Sequence, residues 1–204
     1  PLANYMECKY YGAKVELIDG FINDCGRISS DIAERNGLFD ISTMKEPYRV
    51  EGKKTMAYEI VEQLGWSVPD VIVYPTGGGT GIVGIWKAMN EMQELGLIGS
   101  KRPKIISVQA EGCSPIYNAF IKGERFSEDF ANPKTLASGI RVPSAIGDFL
   151  VLDAIKESEG KVMIVSDKSM LKSVELLSKF EGIFSAPEGG ATLSALQKLI
   201  LNDE

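Results

Sequence analysis

The stretch Asp70–Trp86, DVIVYPTGGGTGIVGIW, decides how the rest of the chain is read. Its first five residues, DVIVY at 70–74, form a β-branched apolar run suited to a parallel strand buried on both faces. Glycines follow at 77, 78, 79 and 81, with Thr76 before them and Thr80 among them. A helical pattern then runs from about Ile82 to Leu95. Residues without a Cβ let the chain turn tightly and bring backbone N–H groups close to an anion. The helix start adds unpaired N–H donors and a positive partial charge. Thr76, Gly77, Gly78, Gly79, Thr80 and Gly81 are therefore expected to cradle a phosphate. The alternative is a tight strand-to-helix turn with no ligand.

The loop leaves the kind of phosphate open. It is not a nucleoside-triphosphate P-loop, because no Lys-Ser/Thr pair follows the glycines. Gly79 to Gly84 does spell G-x-G-x-x-G, the dinucleotide fingerprint, and Glu111 ends the next strand where a ribose-binding acid would sit. Two features oppose that reading. Residues Pro75 to Gly78 separate the strand from the motif, and Glu111 lies 32 residues beyond Gly79, against the usual ~20. A nicotinamide- or flavin-binding oxidoreductase remains the alternative from another class.

Working outward, the chain alternates short apolar runs with helical periods. IISVQA at 105–110 reads as a strand. Residues Gly112 to Ile146 form a long irregular stretch holding Pro115, Pro133 and Pro143. Residues 147–159 read as a helix and KVMIVS at 161–166 as a strand. Asp167 is expected to cap a helix of about fifteen residues, with Met170, Val174, Leu177 and Phe180 as its buried stripe. A short extended piece around Ile183 and a helix at 190–201 follow. Upstream, a helix is expected from Glu51 to Leu64, with Met56, Ile60, Val61 and Leu64 on one face. Before that come strands at 14–18 and 37–41, around a helix at 22–36. The fold class is α/β: an open, mainly parallel sheet with helices on both faces, plus part of a smaller α/β domain. A boundary near Met44–Gly52 separates residues 1–48 from residues 49–204.

Composition narrows the chemistry. The 204 residues include no histidine, three cysteines without metal or redox spacing, and a net charge of -6. That excludes histidine-based nucleophilic triads and metal sites, and it argues against nucleic-acid or anionic-membrane partners. No metal site is expected. No apolar run reaches membrane-spanning length, and the opening residues PLANYMECKYYG do not read as a signal peptide. A cytoplasmic protein is expected. Proton transfer falls to Lys, Asp, Glu, Tyr, Cys or a cofactor.

The segment YPTGGGTGIVGIWKA resembles the phosphate-binding loop of threonine synthases, within the fold-type II family of pyridoxal-phosphate enzymes. PLANYMECKYYGAKVELIDG is similar to that family's mobile small domain, and RVEGKKTMAYEIVEQLGW at 49–66 to its return segment. TLASGIRVPSAIGDFLVLDAI at 135–155 and EGIFSAPEGGATLSAL at 181–196 resemble its late motifs. Related dehydratases tend to carry GGGG in the loop and cysteine synthases a GTGGT-type loop, so GGGTG is closer to threonine synthase.

The resemblance implies pyridoxal 5'-phosphate as cofactor and conversion of O-phosphohomoserine and water to threonine and phosphate. The cofactor would act as an electron sink. Thr76 to Gly81 and Glu111 would bind it, and Arg141 and Glu188 would face the small-molecule substrate. The family's Schiff-base lysine lies in an upstream segment that these residues do not match, so no catalytic lysine is assigned. Lys53, Lys54 and Lys87 read as surface residues. The expectation is a chain cut at both ends and inactive alone, with uncovered edges that favour a homo-oligomer, a dimer. A serine/threonine dehydratase, another fold-type II enzyme and a non-catalytic binding module remain alternatives.

Overall fold

The computed structural model describes residues 2–201. Helices α1 (Leu2–Tyr10), α2 (Ile22–Asn36), α3 (Tyr48–Lys53) and α4 (Thr55–Gln63) precede β1 (Val71–Pro75) and α5 (Thr80–Glu94). Then come β2 (Lys104–Ala110), α6 (Pro115–Lys122), a 3-10 turn (Ser138–Ile140) and α7 (Asp148–Glu157). The chain continues with β3 (Lys161–Val165), α8 (Asp167–Glu181) and α9 (Pro187–Leu201). The chain divides into two compact units, the first ending at Phe39 and the second starting at Asp40.

The second unit is built on a parallel sheet in the order β1-β2-β3. The two faces follow from the alternation of side chains along a strand. Ile72, Ile105 and Val162 point into a core shared with α4, α5, α6 and α7, centred on Ile82, Ile85, Met89, Met92, Val151 and Ile155. Val73, Ile106, Val108, Ala110, Met163 and Val165 point the other way, onto Met170 of α8 and Ala191, Ala195 and Leu199 of α9. Helix α9 packs along all three strands and against α8. The approach to α8 is close because residue 190 is glycine: a Cβ there would lie 2.3 Å from the Met170 carbonyl oxygen. The expected open parallel α/β sheet with helices on both faces is what the structure holds.

The long stretch from Gly112 to Ile146 carries α6 and the 3-10 turn and is latched to α7. Buried Asp148 accepts from the amide and the hydroxyl of Ser127. Arg125 pairs with Asp153 at 2.8 Å and lies over the rings of Phe126 and Phe149.

Several local expectations change. The helix expected from Glu51 to Leu64 is two helices meeting at Lys54, and Ala57 and Val61 are its buried residues while Leu64 is exposed. Ser166, not Asp167, caps α8: its hydroxyl accepts from the Ser169 amide at 3.2 Å. The Asp167 carboxylate instead receives the Thr135 hydroxyl and the Leu136 amide. The buried stripe of α8 is Met170, Ser173 and Val174, and Phe180 is exposed. Around Ile183 the chain forms no strand.

The first unit contains α1 and α2 and no strand among its described residues. Residues 14–18 and 37–41, expected as strands, are irregular. A β-branched run becomes a strand only when another strand takes its backbone hydrogen bonds, and no residue between 2 and 39 offers one. Helix α2 is delimited locally. Asp24 Oδ2 accepts from the Phe21 amide at 2.9 Å, and Gly37 ends the helix at φ 62°, with the Leu38 amide on the Ala33 carbonyl.

Candidate functional site

The site forms where the parallel strands end. Thr76 extends the ladder one residue past β1, its amide donating to the Val108 carbonyl at 2.8 Å. Its side chain is fully buried and points down, away from the loop mouth. Thr76 Oγ1 donates to the Tyr74 carbonyl at 3.2 Å and accepts from Ser107 Oγ at 2.8 Å. Gln109 Nε2 donates to the Thr76 carbonyl at 3.3 Å, while Gln109 Oε1 accepts from the Tyr117 amide at 3.0 Å. Ser107 and Gln109 are both fully buried. They form a polar column on β2 that fixes the base of the loop and joins it to α6. Sequence reasoning missed them, although two polar residues at i and i+2 in IISVQA are a readable signal: a buried polar group must find a partner.

Above that base, Gly77, Gly79 and Gly81 lie where a side chain has no room. A Cβ at Gly77 would lie 2.7 Å from the Gly139 carbonyl oxygen and 3.0 Å from Val142 Cγ2. At Gly79 it would lie 2.1 Å from Val151 Cγ2, and at Gly81 2.1 Å from the Tyr74 hydroxyl. Gly78 faces the Thr43 methyl at 3.2 Å on the same measure. Gly79 also has φ 82°, in the left-handed region, and forms the N-cap of α5 with no side chain satisfying the first-turn amides. The N–H groups of Gly78 to Gly81 have no acceptor among the described residues. Close-packed glycines with open amides at the start of a fifteen-residue helix suit a phosphate dianion. Of the two threonines, Thr76 has its hydroxyl committed below the loop, and Thr80 is the first residue of α5. In the G-x-G-x-x-G match, Gly84 serves packing: a Cβ there would strike the Lys53–Lys54 backbone.

Other predicted residues gather at the same edge. Glu188, in the first turn of α9, turns its carboxylate onto the backbone: Oε1 accepts from the Gly139 amide at 2.7 Å. Arg141 is exposed just after the 3-10 turn and lies close enough to influence Cys113. Burial pushes the Cys113 thiol up, opposed by a Val142 backbone hydrogen bond and by Arg141. Glu111 leaves β2 exposed, its amide on the Val165 carbonyl. The sequence reading also passed over Arg49. Its Nη1 donates to Thr43 Oγ1 at 3.0 Å and its Nη2 to the Ile41 carbonyl at 2.7 Å, which brings a guanidinium to the Gly78 side of the loop.

Two of the three lysines weighed as stand-ins for a catalytic amine, Lys54 and Lys87, are tied up in ion pairs. Lys54 pairs with Glu51 at 2.5 Å and Glu91 at 2.8 Å, which raises its ammonium well above the usual range. Lys87 pairs with Glu51, whose carboxyl is lowered by Lys54 first and Lys87 second. Two hollows of about 550 and 470 Å³ lie away from the loop, one on α8 beside Phe184 and one between α3, α5 and α7. Among the described residues no cluster could hold a metal ion, and no helix is long and apolar enough to cross a membrane.

A family profile described as pyridoxal-phosphate dependent enzyme matches residues 1–204. The threonine synthase of Methanocaldococcus jannaschii is 34% identical over 199 residues, covering 98% of this chain and 49% of the relative. That of Halalkalibacterium halodurans is 31% identical and covers 100% and 54%. The chain thus spans about half the length of the curated relatives it matches. Among solved structures, maize serine racemase superposes with a TM-score of 0.76 at 20% identity, covering 95% of this chain and 56% of that one. A threonine deaminase from T.th. superposes with 0.74 at 21%, covering 93% and 59%. These two show a shared fold. With a profile match over residues 1–204, this chain belongs to the family of pyridoxal-phosphate dependent enzymes.

Proposed function

We propose that the protein acts as a threonine synthase, converting O-phosphohomoserine and water to threonine and phosphate. The observation that carries this is the glycine loop, read with the one-third identity to threonine synthases along nearly the whole chain. In this reading residues 49–204 supply most of the cofactor-binding domain and residues 1–48 part of a small mobile domain, in a homodimer. The amides of Gly77 to Gly81 and the Thr80 hydroxyl hold the phosphate of pyridoxal 5'-phosphate. When bound, that cofactor supplies an electron sink for the carbanion chemistry. Thr76 does not touch it and works from below, through Ser107 and Gln109. Glu111 borders the cofactor from the end of β2. Arg141 and Arg49 carry guanidinium groups to the site's rim, where planar donors suit the substrate's phosphate and carboxylate.

In this reading none of the lysines in these residues takes the role of the family's tether, and the residues are expected to hold the cofactor without a covalent link. The test titrates pyridoxal 5'-phosphate against the chain, reduces the mixture with borohydride and follows phosphate release from O-phosphohomoserine. Saturable binding, no stoichiometric lysine label and background phosphate release are expected. Turnover with one specifically labelled lysine would overturn the tether argument. Absence of binding would overturn the cradle. In a longer chain that carries the tether, ammonia release from serine or threonine instead of phosphate release would favour the dehydratase reading.

A further inference from the structure

Glu188 entered the site as a residue facing substrate, yet its carboxylate is spent on the Gly139 amide at 2.7 Å. The Gly139 carbonyl oxygen lies 2.7 Å from the position a Cβ of Gly77 would take, and Ile140 Cα lies 3.2 Å from it. One side chain therefore ties the start of α9 to the 3-10 turn, and the backbone of that turn is the wall against which the first loop glycine rests. The contact is tight: a Cβ on Gly139 would come within 2.9 Å of Glu188 Oε1. Upstream, the turn is held by the Thr135 and Leu136 bonds to Asp167, and at its end by buried Ile140. Helix α9 is in turn seated along all three strands, so Glu188 ties the turn to a helix packed on the sheet.

We propose that Glu188 is a positioning residue: by holding Ser138–Ile140 against Gly77, it sets the affinity of the glycine loop for a phosphate group. The inference rests on the cofactor reading above and adds a residue that acts on the cradle without touching its ligand. A hydrogen bond to a backbone amide is directional, so it depends on an acceptor oxygen placed at the right reach. Without it the turn moves off the loop, and the open amides no longer converge on one point. The plainer role of a first-turn acid is to complement the helix dipole, which requires charge but not reach.

The two roles separate cleanly in two variants. Glu188→Asp keeps the charge at the start of α9 but draws the carboxylate back by one methylene. Glu188→Gln keeps the reach and the accepting oxygen but loses the charge. Dissociation constants are measured for pyridoxal 5'-phosphate and for inorganic phosphate, with a thermal melt of each protein to verify folding. Positioning predicts a loss of about tenfold for Glu188→Asp and a change within about twofold for Glu188→Gln. Any result in which the Asp variant binds as well as or better than the Gln variant overturns the proposal. Gly139→Ala offers a second route, since its methyl group meets the same carboxylate. It should weaken binding by a similar factor, and combined with Glu188→Asp it should lose little more than the larger single loss. Fully additive losses would sink the link between the two residues. If the wild-type chain binds neither probe, the cofactor reading falls and takes this inference with it. If it binds both and the Asp variant matches the Gln variant, only the inference falls.

Discussion

Helices α2 and α5 are both fifteen residues long, yet α5 buries seven of its residues and α2 buries one, Ala33. Both have clear ends: α2 starts at the Asp24 carboxylate and stops at left-handed Gly37, and α5 starts at left-handed Gly79. What differs is the surface each is offered. Helix α5 packs on a three-stranded sheet and on α4 and α7. Within its own unit α2 has α1, which buries nothing, and Leu17, Ile22, Leu38 and Phe39 stay exposed. Capping and periodicity suffice to write a helix. Helical stability in proteins comes mainly from burying one face, and that needs a neighbour.

Hydrogen exchange offers the largest test of this contrast. Amides of β2, six of whose seven residues are buried, should exchange near the limit set by global unfolding, and those of α2 near the limit of local fraying. The expected gap is on the order of a thousandfold or more in protection. Equal protection in the two regions would show that the first unit has a stability source beyond its visible core.

Glycine substitution sharpens the contrast at single positions. Gly37 and Gly79 share a positive φ, but a Cβ at Gly37 meets nothing within 4 Å, whereas at Gly79 it meets Val151 Cγ2 at 2.1 Å. Gly37→Ala should cost about 1 kcal/mol, the strain of the left-handed backbone alone. Gly79→Val should cost about 3 kcal/mol or more, as overpacking adds to that strain, and should abolish binding of inorganic phosphate. Denaturant melts and phosphate titration check both. A Gly79→Val protein as stable as Gly37→Ala would mean that α7 yields easily.

A smaller effect than that of Gly79→Val is expected at Gln109. Replacing it by Leu keeps the volume but strands the Tyr117 amide and removes a donor from the Thr76 carbonyl. A loss of about 1–3 kcal/mol follows from leaving buried groups unpaired, with weaker phosphate binding because the loop base loosens. An unchanged melting curve would show that the column is dispensable.

What was legible before folding was local in origin. DVIVY, IISVQA and KVMIVS read as strands because β-branched runs fill a pleated, doubly buried surface, and all three are strands within a residue or so. The glycine turn was readable because glycine takes up, with least strain, the left-handed backbone that Gly79 adopts. Other things required the third dimension. Residues 14–18 have a strand's composition but no pairing partner among the described residues, so composition misled. Thr76 and Thr80 look equivalent in sequence, yet only contact with Ser107 and Gln109 turned one of them inward. Glu188 and Gly139 are 49 residues apart, and no periodicity could join them. The sequence by itself determined the three strands of the sheet and the glycine turn, because these depend on backbone preferences within a few residues. The tertiary structure decided which polar side chains serve the loop and which serve its walls, because that depends on which distant backbone groups folding brings within hydrogen-bond reach.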